Sequence, residues 1–573
     1  MGTRSEWIIE RSETRTSGGM VAAKTPEAAE AGAEVLRRGG NAVDAAVTAG
    51  FVAGVVEPWM SGLGGGGFLV RYDPRTDDSM VVAFSMVAPQ RAHPDMFPLA
   101  GGGTDSSLFG WLRVVDDANI VGHRAVAVPG LVDGLALALE RFGTVSFADA
   151  LQPAIRFAEE GVPVTWHTTL QIARDLPSLT RFQATREIFC PDGFAPFSPD
   201  AAAPVMLRQP DLARTLRRLG DEGPRWFYEG EFAEKAVAHL QEGGAPFEQS
   251  DFRDYRARIE PATRLTYRDW SVVTTGGATG GTTLAMSLRL LDGLDLAGLG
   301  HNAPESLHLM AQAFRLAFAD RYAYLADPDA VEVPLDALLS EDYLAERRAL
   351  ISGTTLPAIR SGSPERLGVR HGLAPSVPEY VTSDSTTHIS VIDANGVAVS
   401  LTQTLLSIWG SRVVVPGTGV LLNNGMMWFD PVPGRPNSVG GGKRPLSNMS
   451  PAVIFRPGGA TAAIGASGGR RIMNCLAQIA SNLIDHRLAM QPAVSAPRID
   501  ASTVDLLVDA RIPEATRAAL RNLGHRVVVR DDRLLRGEFA SPACVYFANG
   551  EFVGGVDPFY FPATASGVTP ANT

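Results

Sequence analysis

Three cysteines in 573 residues, Cys190, Cys475 and Cys544, are too few and too scattered for a disulfide framework or a zinc site. Cationic charge is also short, with 51 Lys+Arg against 62 Asp+Glu and a formal net charge of −11. A chain of that balance lacks the field that phosphate backbones attract, so no nucleic-acid partner is expected. No run of about 18 apolar residues suggests a membrane span. Residues 1–20 are polar and charged, without the apolar core of a secretory signal, and a cytoplasmic protein is expected. The ten histidines show neither an HExxH pattern nor paired spacing, so no metal and no cofactor are expected.

What is present is an ordinary globular balance, 45% hydrophobic and 20% charged residues. Length alone suggests about three or four domains, although large sandwich folds can run longer as one unit. The basic pairs Arg37-Arg38 and Arg347-Arg348 read as solvated helix faces. Thr25-Pro26 reads as a helix start, with Thr as cap and Pro at the first helical position. Gly39-Gly40 stops that helix and Asn41 opens a second one with small, close-packing side chains. The run Gly62-Leu63-Gly64-Gly65-Gly66-Gly67-Phe68 leads into a strand, with no Lys-Ser/Thr and no helix after it. Tight backbone packing explains it better than a phosphate loop. The middle, about 123–343, is largely helical, with clear examples at 131–141, 210–219 and 306–325. A strand at 270–275 passes through Gly276-Gly277-Ala278-Thr279-Gly280-Gly281 into a helix expected from Thr282, again without the lysine of a phosphate loop.

Residues 352–380 carry Gly, Pro and Ser without periodicity and read as an exposed linker. The pattern then changes to two strands joined at Asp393-Ala394-Asn395-Gly396, an Asn-Gly turn. Ser383-Asp384-Ser385-Thr386-Thr387-His388 lies where linker becomes strand. A hydroxyl is a weak nucleophile and needs a base. An amino-terminal Thr supplies one, because an α-amine has a pKa of about 7.7–8.0. Before the cut, the same hydroxyl can attack the preceding carbonyl and shift the chain to an ester that water opens. From the residues alone, however, Thr386-Thr387 also suits plain strand propensity, and His388 also suits a packed, hydrogen-bonded histidine.

Longer motifs carry more weight. They are Gly39-Gly40-Asn41-Ala42-Val43-Asp44-Ala45-Ala46, Gly64-Gly65-Gly66-Gly67-Phe68, Ala319-Asp320-Arg321, and Thr386-Thr387-His388. Later in the chain come Gly419-Val420-Leu421-Leu422-Asn423-Asn424, Lys443-Arg444-Pro445-Leu446-Ser447, and Gly465-Ala466-Ser467-Gly468-Gly469. In this order they resemble the γ-glutamyltranspeptidase family across nearly the whole chain. The resemblance implies an α+β fold, an αββα four-layer sandwich of the N-terminal-nucleophile hydrolases. It would be built jointly by fragments 1–385 and 386–573, which stay associated after autocleavage and can pair further as a homo-oligomer. It implies Thr386 as nucleophile, its freed amine as base, Thr404 as the activating hydroxyl, and Gly468 and Gly469 as the oxyanion hole. A helix expected from Arg470 would turn its N-terminal amides to the same place.

The family's glutamate-recognition set is altered at the matching positions. Ser85 stands where the family has a carboxylate-binding arginine, and Leu406 where it has an asparagine. Gly425 and Trp428 replace a glutamine and an aspartate, and in the serine pair Ser447 stays while Asn448 replaces the second. Losing buried charged partners costs roughly several kcal/mol each. Altered acyl specificity is therefore expected, with Met426, Met427, Trp428 and Trp409 as an apolar wall and Arg91 or Arg412 as possible displaced anchors. The short stretch 438–442 suggests an open site without a lid. Three functions follow: a threonine amidohydrolase on a small-molecule amide other than glutathione, a true γ-glutamyl hydrolase and transferase, or a binding scaffold without turnover.

Overall fold

A computed structural model describes residues 9–104, 109–356, 359–364, 384–531 and 538–569. Two antiparallel sheets form the centre of these described residues. One runs in the order Thr564–Gly567, Gly19–Ala23, Asp384–Asp393, Ala398–Ser407, Gly66–Asp73, Asp78–Phe84 and Arg258–Pro261. The other runs Thr14–Thr16, Glu551–Val556, Ser541–Ala548, Thr461–Ile464, Ala452–Phe455, Trp270–Thr274 and Thr263–Tyr267, with Ala466–Ser467 pairing off Ser541–Ala548. Both sheets mix strands from before and after residue 385. Helices Pro26–Arg37, Ala42–Val56 and Leu131–Phe142 cover the first sheet, Gly280–Asp292 and Arg471–Ile484 cover the second, and Pro304–Tyr324 packs on Gly280–Asp292. This is the expected four-layer αββα sandwich.

Strand alternation assigns the two faces. Val21, Ala23, Leu69, Ile389, Val391, Val399 and Leu401 pack on the first helix layer. Met20, Ala22, Phe68, Val70 and Ile392 face the opposite sheet. Polar side chains between the sheets find partners across the gap. Ser390 Oγ donates to the Ala543 carbonyl at 2.9 Å, and Ser400 Oγ to the Ile464 carbonyl at 2.9 Å. His388 Nδ1 meets Thr402 Oγ1 at 2.8 Å and its Nε2 meets Ser390 Oγ at 2.9 Å.

Burial, then the charge of Lys24, pushes His388 down to about 3. It is therefore a neutral structural histidine, as one reading of the sequence had it. Its folded pKa lies below the unfolded value of 6.5, so the unfolded chain binds the extra proton and stability is lost as pH falls below 6.5. The stability gap between wild type and His388→Gln should narrow by about 1.4 kcal/mol per pH unit from 6.5 to 4.5. Urea unfolding at both pH values measures it. An unchanged gap would contradict the assignment.

The local signals explain most elements. Thr25 caps Pro26–Arg37 by accepting from Ala28 N, and Asn41 makes a capping box with Asp44 at the start of Ala42–Val56. The glycine run before Gly66–Asp73 is indeed a packing device. A Cβ at Gly64 would lie 2.2 Å from the Leu421 carbonyl, and one at Gly65 2.3 Å from the Thr404 carbonyl. The helix expected near Thr282 begins at Gly280, where Thr279 caps it by accepting from Gly281 N. One expectation is corrected. Arg347 is not on a solvated face: it is buried and ion-paired with Asp320 at 3.1 Å, whereas Arg37 and Arg38 are exposed and paired with Glu30 and Glu34. The linker read at 352–380 falls mostly outside the described residues.

Candidate active site

Thr386 sits in the third of seven strands at a register shift. Ser385 pairs with Leu406 and Thr387 with Gln403, so Thr404 and Leu405 together oppose the single Thr386. Such a bulge turns a side chain out of the regular ladder. Here it brings the hydroxyls of Thr386 and Thr404 to one carbonyl. Thr386 Oγ1 donates to the Ser385 carbonyl at 2.7 Å and lies 3.4 Å from Thr404 Oγ1. Thr404 Oγ1 also donates to the Ser385 carbonyl, and it accepts from Leu406 N at 2.8 Å. That amide fixes which way the Thr404 proton points. Leu406 holds a left-handed backbone, φ +88°, to present its N–H. A leucine is strained there in a way an asparagine is not.

Neighbouring side chains point the other way and are anchored behind the strand. Ser385 Oγ donates to the Trp59 carbonyl, and Thr387 Oγ1 donates to Glu57 Oε1. Glu57 caps the C-terminus of Ala42–Val56 and is fully buried. Burial pushes its carboxyl up to about 7, opposed by the Thr387 hydrogen bond, the charge of Lys24 and the Tyr560 hydroxyl. Lys24 is buried too. Its Nζ donates to Ser467 Oγ at 2.8 Å and to Ser541 Oγ at 2.5 Å, and it stands 3.5 Å over the Tyr560 ring. Neither Lys24 nor Glu57 was singled out from the sequence. The available signal was a lone charge directly after each apolar run, 19–23 and 45–56.

Ala466–Ser467 packs against the strand of Thr386 and leads straight into Gly468 and Gly469. Both glycines have left-handed φ values, +136° and +58°. Their carbonyls accept from Arg471 N and Ile472 N, so the pair forms the entry to the helix Arg471–Ile484. That helix starts one residue later than expected, with Arg470 as its cap.

The altered recognition positions fall into two groups. Arg321 gathers the first: it donates to the Ser447 carbonyl and to Asn448 Oδ1, each at 2.8 Å, from a fully buried position. Asn448 Nδ2 is buried without a hydrogen-bond partner. Asn437 joins this group to Trp428, donating to the Trp428 carbonyl at 2.7 Å and accepting from Leu446 N at 3.0 Å. Gly425–Trp428 is one tight turn, and the Trp428 ring lies 6.2 Å from that of Phe109. A Cβ at Gly425 would sit 2.6 Å from Ala127 Cβ, so the backbone there excludes a glutamine unless Ala127 moves. Ser85 lies apart, two strands from Thr404 or about 10 Å. Its hydroxyl turns to the Met86 carbonyl, and it lines a cavity of about 440 Å³ with Ala88, Thr279, Gly442 and Arg444.

Three expected contributors are elsewhere. Trp409 is core, not wall: it packs on Trp59 and Phe189 and donates to the Gln171 carbonyl at 3.0 Å. Arg412 is committed to Asp175 at 2.7 Å and to the Gly410 carbonyl. Arg91 is exposed and pairs with Glu248. Among the described residues, no group of three or more His, Cys, Asp or Glu is placed to hold a metal ion. No helix among them is long and apolar enough to cross a membrane.

A sequence model of the family described as Gamma-glutamyltranspeptidase matches residues 28–559. The chain belongs to that family. The Acylase ACY 1 proenzyme of Pseudomonas sp. (strain V22) is 36% identical over 536 residues, covering 93% of this chain and 91% of its own. The Glutathione hydrolase proenzyme of Bacillus subtilis (strain 168) is 33% identical, covering 89% of this chain and 85% of its own. Among solved structures, cephalosporin acylase from Bacillus halodurans superposes with a TM-score of 0.85 at 25% identity, over 100% of this chain and 99% of that one. The relatives of this chain thus include proteins named as acylases and as glutathione hydrolases. The protein is a threonine amidohydrolase or acyltransferase of the N-terminal-nucleophile kind.

Proposed function

We propose that the chain is cut before Thr386 and that fragments 1–385 and 386–573 together form an acylase, whose acyl group is bulkier and less polar than γ-glutamyl. One observation carries the reading: two hydroxyls, of Thr386 and Thr404, meet on the Ser385 carbonyl in the intact chain. Thr386 Oγ adds to that carbonyl carbon, and Thr404 donates to the oxygen as it becomes negative. The Oγ proton passes to the peptide nitrogen as the C–N bond breaks, which leaves a free amine on residue 386 and an ester to its oxygen. Water opens the ester, leaving a carboxylate on Ser385 and an amine on Thr386.

In turnover that amine takes the Thr386 Oγ proton as the oxygen attacks a substrate amide. The proton passes to the leaving amine, and the acyl-enzyme is resolved by water or a second amine. Gly468 and Gly469 serve as oxyanion donors in this step. Thr404, held by Leu406 N, keeps the nucleophile in place.

The specificity part of the reading rests on the replaced residues. Without an arginine at Ser85 and an aspartate at Trp428, an α-amino acid head group has lost its charged partners. A glutamine at Gly425 would require Ala127 to move, Asn448 carries a buried amide donor, and Met426, Met427 and Trp428 are buried apolar side chains of the same turn. The Pseudomonas acylase proenzyme, at 36% identity, supports the same direction. A cytoplasmic location belongs to the reading too, supported by three cysteines of which none is in a disulfide.

Mass spectrometry of the purified protein should show two polypeptides, the smaller starting at Thr386. A competition assay between a bulky apolar acyl anilide and γ-glutamyl anilide should favour the bulky one in kcat/KM by at least about tenfold, the worth of one lost polar contact. Preference for the γ-glutamyl compound would instead make this a true γ-glutamyl hydrolase.

A further inference from the structure

Behind the nucleophile lies a pair of opposite charges that the chemistry above does not use. Lys24 and Glu57 come from different layers, the end of strand Gly19–Ala23 and the end of helix Ala42–Val56, and both are fully enclosed. Tyr560 bridges them, with its ring under the Lys24 ammonium and its hydroxyl donating to Glu57 Oε2 at 3.3 Å. Each charge then reaches one half of the active site. Glu57 accepts from the hydroxyl of Thr387, the residue after the nucleophile. Lys24 donates to Ser467, the residue before Gly468.

Stability alone does not account for such a pair. Taking two charges out of water costs several kcal/mol per ion, and apolar side chains of similar volume often serve the fold as well or better. What the pair supplies is a rigid link between two elements whose spacing sets the chemistry. We propose that Lys24 and Glu57 are positioning residues, which through Ser467 and Thr387 hold the Gly468–Gly469 turn and Thr386 in register for acyl transfer and set the electrostatic field at the Thr386 amine. The inference rests on the acyl-transfer reading given above.

The field has a sign. The amine must be neutral to accept a proton, so activity falls on the acid side of its pKa. A nearby cation favours the neutral amine and a nearby anion the charged one. Other titratable or charged groups facing the pair are Tyr560, Glu27, His167 and His388, with Arg174 and Asp557 one step further out. Burial already pushes His167 down to about 4 and His388 to about 3, so both stay neutral across the working range. Glu57 lies near neutrality, so its own ionisation adds to the acid limb.

The experiment is the pH profile of kcat for processed wild type, Lys24→Met and Glu57→Gln. Lys24→Met should move the acid limb up and Glu57→Gln should move it down, each by about half to one pH unit. Limbs that stay put in both variants, with activity lowered evenly across pH, would reduce the pair to a structural role and overturn the proposal. Thr387→Val and Thr387→Ser provide a second arm that leaves both charges in place. Removing the hydroxyl should cost about tenfold in kcat, the equivalent of one hydrogen bond, with KM within about twofold, while serine restores most of it. A fully active Thr387→Val enzyme would also overturn the proposal. Wild type run alongside separates the two failures. If it is uncut or inactive, the acyl-transfer reading itself falls; if it is cut and active while the variants behave as wild type, only the positioning role falls.

Discussion

Thr386→Ala should remain one uncut polypeptide of full length and lose turnover by roughly four orders of magnitude or more, as nucleophile removal does in other acyl-transfer enzymes. The change removes the hydroxyl that lies 2.7 Å from the Ser385 carbonyl, and with it the only atom placed by the reading to attack that bond. It also removes the amine, because the uncut chain keeps residue 386 inside a peptide. Both parts of the catalyst vanish with one oxygen. Thr386→Ser is the matching control: it keeps the oxygen, loses a methyl group, and should still cut and turn over, though more slowly. Cleavage before residue 386 in the alanine variant, or activity from it, would remove the foundation of the mechanism. The assay is a denaturing gel with intact-mass measurement beside initial rates.

Gly468→Ala should separate maturation from turnover. A Cβ there would lie 2.6 Å from Ala540 Cα and 2.8 Å from Ala540 Cβ, and φ at +136° is strained for any side chain. The turn must shift, and with it the N–H groups proposed to hold the substrate oxyanion. The loss of one such donor corresponds to about 10²–10³ in kcat. On the proposed route the cut before Thr386 develops charge on a different oxygen, that of Ser385, to which Thr404 donates. Gly468→Ala should therefore still be processed while turning over poorly. Thr404→Val should instead accumulate as an uncut chain. Gly469, at φ +58°, strains an alanine less, and its alanine variant should lose less activity. Equal loss of cutting and turnover in Gly468→Ala would mean that one oxyanion site serves both steps.

These two experiments address a division of labour that the bulge creates. A regular ladder would set one partner residue opposite Thr386. The extra residue at Thr404-Leu405 instead turns the Thr404 hydroxyl to the Ser385 carbonyl, and the left-handed Leu406 supplies the N–H that orients it. Leu406 holds this left-handed backbone without the asparagine side chain that the resemblance implies at the position and that would suit it better. The contact to Thr404 comes from the backbone N–H of Leu406, so it does not depend on the side chain at that position.

Much of this architecture could be read from one-dimensional signals. Thr25-Pro26 and Asn41 mark helix starts because capping is a local hydrogen-bond problem. Asn395-Gly396 marks the hairpin because few residues tolerate the turn. The ordered motifs point to the family, and its model matches residues 28–559; they also single out Thr386, Thr404 and the glycine turn as the candidates for the chemistry. What the sequence could not show was which polar residue meets which. Trp409 and Trp428 look alike as wall candidates, yet one lies among Trp59 and Phe189 and the other beside Phe109. Arg347 looks like a surface charge and is buried on Asp320. The link from Lys24 to Ser467 spans 443 positions and that from Glu57 to Thr387 spans 330. Local propensity and spacing carry no information across such separations; only packing two sheets and two helix layers around one strand brings those side chains within hydrogen-bond reach.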